Sequence, residues 1–173
     1  DIAAKKALGR ELGGILDFSN VMLMGHSRGG EGARAAAHFH QTKDGYGQAL
    51  QDVTIKGVFE FAATDGYGSY PFAAKGAAWA SVLASCDNDL IFLPNAQTYM
   101  RRISNQEGES TALVLVKGAN HNYFNEQWIV PDGSSCAPMG KYIWGDLFMN
   151  NGSTAQYEVG QMFVVAFALG HLG

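Results

Sequence analysis

Residues 20–37, NVMLMGHSRGGEGARAAA, constrain this chain more than any other stretch. They begin with a short apolar run bounded by turn formers, the pattern of a strand buried on both faces. From residue 29 to about residue 41 the alanine-rich sequence reads as a helix. Strand and helix meet at Gly25-His26-Ser27-Arg28-Gly29, which leaves almost no chain for the turn between them. So sharp a turn needs glycine wherever a side chain would collide. Gly25 and Gly29 take those places, Gly30 adds freedom, and Ala33 allows the helix to lie close to the strand. A bare Gly-x-Ser-x-Gly in a chain with 22 glycines says little. Its weight comes from the strand before it and the helix after it.

The same alternation continues along the chain. Apolar residues at helical spacing predict a helix over 1–16, ending near Gly13-Gly14. Strands are predicted over 55–63 (IKGVFEFAA), 80–86 (ASVLASC) and 111–117 (TALVLVK), with a helix over 94–105. A Gly/Pro/Asn-rich excursion covers 118–153, and a helix closes the chain. Its apolar stretch VGQMFVVAFAL is interrupted by Gly and Gln and is too short to span a bilayer. Short buried strands alternating with helices predict an α/β fold with a mostly parallel sheet flanked by helices. Such sheets place function at the carboxyl ends of their strands. The residues there are Ser27, Thr64-Asp65, Asp87-Asn88-Asp89 and Asn120-His121.

Those loops offer, in chain order, a serine, an acid and a histidine. A serine hydroxyl attacks only when an imidazole takes its proton, and the imidazole needs a carboxylate to fix its tautomer and stabilise its charge. The start of the helix behind Ser27 presents free N–H groups to a developing oxyanion, and that of Arg28 is the natural donor. For the base, His121 competes with His26, whose backbone is committed to the turn. His38 and His40 face different sides of one helix, and His171 lies at the chain end. For the acid, Asp87, Asp89 and Asp65 all remain open on the residues alone. The loop CDND lacks the continuation of a calcium loop, and no His/Cys/Glu spacing suggests zinc, so neither a metal nor a cofactor is expected.

The elbow GHSRGG, the order Ser, acid, His, and the place of each directly after a strand resemble the α/β-hydrolase superfamily. SCDNDL followed by VKGANHNYFN is similar to the acid and histidine loops of secreted bacterial cutinase-like and polyester hydrolases and of dienelactone-hydrolase-type esterases. The resemblance implies Ser27 as nucleophile, Asp89 as orienting acid, His121 as general base and Arg28 as one oxyanion donor. It also implies a carboxylic ester as substrate, small or polymeric. Within the same fold, serine peptidases and a catalytically silent binding domain are the alternatives. GHSRGG has some likeness to glucuronoyl esterase elbows too, but those carry a Lys where Glu31 stands. The resemblance covers only the second half of the fold, so residues 1–173 are expected to be the C-terminal portion of one domain, working with a missing N-terminal segment of the same protein.

Composition sets the remaining bounds. With 47% hydrophobic and 16% charged residues in 173, the chain suits one buried globular domain. A net charge of −4 without a Lys/Arg run argues against nucleic acid and anionic membranes. Spacing alone does not pair Cys86 with Cys136. The resemblance puts both beside the active site, which implies a disulfide between the acid and base loops and an extracytoplasmic protein, secreted or periplasmic. Tyr123, Phe124, Trp128, Tyr142 and Trp144 crowd the same region, as pocket lining or as packing. Asn151-Gly152-Ser153 matches a glycosylation sequon.

Overall fold

The computed structural model describes residues 6–7, 10–11, 16–43, 50–64, 72–90, 110–127 and 152–172. Two short strands, β1 (Lys6–Ala7) and β2 (Arg10–Glu11), pair antiparallel as a two-stranded ribbon of their own. They stand where the sequence predicts a helix over 1–16. A glycine at position 9 disfavours a helix by about 1 kcal/mol, and the apolar spacing of so short a stretch does not outweigh it.

The main sheet has four strands in chain order: β3 (Val21–His26), β4 (Ile55–Phe61), β5 (Ala78–Ala84) and β6 (Thr111–Val116). All three pairings are parallel. Each strand falls within two residues of its predicted bounds. The central strands β4 and β5 are mostly apolar, and from Gly57 onward β4, like all of β5, is buried on both faces, as parallel strands covered by helices must be.

Among the described residues two helices cover the two faces. The first, α1 (Arg28–Thr42), follows β3 directly and ends on Lys43, whose left-handed backbone returns its N–H to Phe39 O. Ala33 and Ala37 on its inner stripe pack with Val58, Trp79 and Leu83. The second, α2 (Gly152–Leu172), carries Phe163, Val164 and Phe167 onto the opposite face, against Phe59, Phe61, Val82 and Phe124. The division follows from strand alternation: Val58 points to one layer, and its neighbours Phe59 and Phe61 to the other. The result is an α/β arrangement in three layers, with a parallel sheet whose carboxyl edge gathers Ser27, Thr64, Asp87 and His121. Among the described residues no helix is long and apolar enough to cross a membrane.

Candidate active site

Ser27 is the single residue between β3 and α1, and its backbone is bent to φ 56°, ψ −126°. A positive φ in a non-glycine residue costs on the order of 1–3 kcal/mol and persists only where neighbours enforce it. Here the end of β4 enforces it. Ser27 N–H donates to Phe61 O at 2.9 Å, and Thr64 N–H donates to Ser27 O at 3.2 Å. Gly30 N–H reaches the same carbonyl at 3.0 Å from the first turn of α1. The serine side chain makes no capping bond to its own helix, so the hydroxyl is not consumed by the turn.

The glycines divide differently from the sequence expectation. A Cβ on Gly25 would sit 2.1 Å from Gly29 O, and one on Gly30 would sit 2.5 Å from Ala63 Cβ. A Cβ on Gly29 would meet nothing within 4 Å. Gly25 and Gly30 therefore hold the collision points. Gly29 lies on the open side of the first helical turn.

Beneath the elbow, Arg34 and Glu60 form a fully buried ion pair at 3.4 Å. Arg34 also donates to Thr64 O at 3.1 Å, and Thr64 Oγ1 donates to Glu31 Oε2 at 2.6 Å. Thr64 thus braces the elbow from three sides, and its hydroxyl is spent on that bracing. Asp65 lies outside the described residues.

His121 is buried and sits between two carboxylates. Its Nδ1 lies 2.7 Å from Asp87 Oδ2, and its Nε2 lies 3.3 Å from Asp89 Oδ2. The two acids differ sharply in setting. The Asp87 side chain is 4% exposed and that of Asp89 is 62% exposed. The second oxygen of Asp87 accepts the Leu90 N–H at 2.6 Å, which leaves its carboxylate little freedom. The resemblance places Asp89 on the imidazole as its orienting acid; the acid on Nδ1 is Asp87. The chain turns back two residues earlier, where a buried carboxylate finds a backbone donor.

The acid and histidine loops are joined by one backbone bond and one bond to a side-chain hydroxyl. Cys86 N–H donates to Ala119 O at 2.8 Å, and Gly118 N–H donates to Ser85 Oγ at 2.8 Å. Cys136 lies outside the described residues. The histidine loop is further held by Gln156 of α2, which is buried and forms a two-point clamp on Asn120. Asn120 N–H donates to Gln156 Oε1 at 2.8 Å, and Gln156 Nε2 donates to Asn120 O at 2.6 Å. Gln156 is not among the residues that the sequence singles out. Its one signal there is a lone amide in the helical stripe that continues through 160, 163 and 167.

His26 connects the histidine loop to the elbow. Its Nε2 lies 2.8 Å from His121 O, and the two imidazole rings are 4.6 Å apart between centroids. Burial holds His26 below the usual histidine range. The bond to His121 O and the charges of Asp87 and Asp89 oppose the shift, while His121 adds to it. The remaining histidines are engaged elsewhere: His38 with Ala73 O, His40 with Leu50 O, and His171 against the Phe167 ring. Phe124 packs on Phe61 at 5.1 Å, so at this position the aromatic cluster serves packing. Trp128, Tyr142 and Trp144 lie outside the described residues. Among the described residues no group of three or more His, Cys, Asp or Glu is arranged to hold a metal ion.

No protein-family model and no curated protein matches this chain.

Proposed function

We propose that the chain is an α/β-hydrolase-type serine hydrolase that cleaves carboxylic esters through an acyl-enzyme. The observation that carries this reading is the buried Asp87–His121 pair, whose histidine is bonded through its carbonyl to His26, the residue before a serine bent to φ 56° at a strand-to-helix turn. In the proposed cycle Ser27 Oγ bonds to the ester carbonyl carbon while its proton passes to His121 Nε2. The resulting oxyanion accepts a hydrogen bond from Arg28 N–H at the start of α1. The carbon–oxygen bond to the leaving group then breaks, and the departing alcohol takes the proton from Nε2. Water attacks the acylated serine in the same way, giving its proton to Nε2, releasing the acid and restoring the hydroxyl.

Asp87 is the orienting acid in this cycle, since it is buried, hydrogen-bonded at both oxygens and on the nitrogen opposite the proton-accepting one. Asp89 faces Nε2, so its exposed carboxylate moves aside before Ser27 can deliver a proton. In the same reading Cys86 pairs with Cys136 and the protein is extracytoplasmic. A thiol titration of denatured, unreduced protein is expected to find no free thiol, and two would remove the disulfide.

A fluorophosphonate probe is expected to label the wild-type chain and not Ser27→Ala, alongside turnover of a p-nitrophenyl ester. The Asp89 contact to Nε2 favours one second reading, a catalytically silent domain of the same architecture. A folded wild-type protein that neither labels nor turns over ester would favour it over the esterase.

A further inference from the structure

Resting on that reading, we infer that His26 is a positioning residue that sets the distance between the nucleophile and the base. A carbonyl oxygen has no proton to give, so in the 2.8 Å contact the hydrogen lies on His26 Nε2 and the bond is donated to His121 O. The ring is pushed toward its neutral form by burial, so a single tautomer, protonated at Nε2, satisfies the contact. The charged and titratable groups facing it are His121, Asp87 and Asp89.

The two contacts restrain different motions. The hydrogen bond fixes the main chain of His121, and hence the point from which its side chain leaves. The ring contact, at 4.6 Å with planes tilted by 49°, restrains the rotation of the imidazole. Asp87 then fixes the Nδ1 end. What makes His26 particular is its covalent neighbour. It is joined by one peptide bond to Ser27, on a backbone already locked by Phe61 and Thr64. A residue carried by the elbow and bonded to a loop 95 residues away gauges the spacing of the two reacting groups directly. Asp87 and Gln156 hold the histidine without reference to the serine.

The test uses His26→Phe, which keeps a ring and loses the donor, and His26→Gln, which keeps an amide donor at similar reach. The readouts are the rate of fluorophosphonate labelling at Ser27 and the His121 tautomer seen by imidazole nitrogen NMR. His26→Phe is expected to label about 10–100-fold more slowly, the scale of loss for reacting groups displaced by an ångström or less. His26→Gln is expected to recover most of that rate. In the wild type the His121 proton is expected at Nδ1, with a mixture of tautomers in His26→Phe. Labelling of His26→Phe within about twofold of wild type, or no recovery in His26→Gln, overturns the inference. Should His26→Phe not fold, His26→Met replaces it against His26→Gln: slow labelling restored by the amide supports the inference, and equal rates overturn it. If the wild type itself fails to label, the hydrolase reading falls, and the tautomer comparison still decides whether His26 positions His121.

Discussion

Gly29 and Gly30 are neighbours in one turn of α1, and replacing each by alanine is expected to change stability in opposite directions. At Gly30 the new Cβ would stand 2.5 Å from Ala63 Cβ, where ordinary carbon contacts are about 3.5–4.0 Å. Helix and strand would have to part by about 1–1.5 Å, or the elbow would have to give way. Overpacking of this kind costs about 1–3 kcal/mol. The helical gain from replacing glycine returns about 0.5–1 kcal/mol. The net loss is then about 0.5–2 kcal/mol, or a fall in Tm of roughly 1–8 °C for a chain of this size. Gly29→Ala meets nothing and is expected to raise stability by about 0.4–1 kcal/mol. The cause is isolated by adding Ala63→Gly, which removes the methyl that Gly30→Ala strikes. The double variant is expected to be no less stable than Ala63→Gly alone, a coupling of about 0.5–2 kcal/mol in thermal or urea unfolding. Additivity within about 0.5 kcal/mol, or equal losses at both glycines, would refute the collision as the cause.

The other expectations concern the histidine and its supports. Asp87→Asn presents an amide to Nδ1 and favours the wrong tautomer, so ester turnover is expected to fall on the order of 10³–10⁴-fold. Asp89→Asn is expected to change it by less than about tenfold, since that side chain is exposed and displaceable. Comparable losses in the two variants would contradict the assignment of roles. Gln156→Leu removes two hydrogen bonds to the Asn120 backbone and is expected to cost about 2–4 kcal/mol in urea unfolding. A change below the error of the measurement would show that the loop does not depend on the clamp. His26 is held below the usual histidine value of 6.5, so just under that pH the unfolded chain binds a proton that the folded chain refuses. Stability therefore rises with pH across the window from the lowered value up to 6.5, and is lost on acidification. Urea titrations at closely spaced pH are expected to show a shallower slope there in His26→Gln. An unchanged slope would mean that other groups account for it.

The strands are legible in the sequence because each is an apolar run closed by turn residues, and the elbow because its glycines sit where strand and helix nearly touch. Two of the features that escape the sequence have partners remote along the chain. Glu60 lies between Phe59 and Phe61 in a strand buried on both faces, a position that demands a counter-charge. Nothing local says that the charge is Arg34 on α1. Gln156 looks like an interruption of an apolar stripe until Asn120 is seen opposite it. Asp87 and Asp89 differ by the path of a few backbone bonds, and a donor such as Leu90 N–H leaves no trace in composition. At residues 6–7 and 10–11 the sequence misleads because helical spacing in a short stretch is weak beside a glycine.

The clamp from α2 also bears on the order in which the protein acquires its chemistry. Ser27, Asp87 and His121 have all been synthesised well before residue 156 is added, and chains emerge from the ribosome amino end first. A nascent chain ending before residue 156 would carry the proposed serine, acid and histidine but lack the Gln156 clamp on the Asn120 backbone. In the proposed hydrolase, competence would then wait on the docking of α2 as well as on the reactive side chains. Cleavage between residues 127 and 152 would test the dependence in mature protein: activity should survive the cut while α2 stays docked and vanish when it is released.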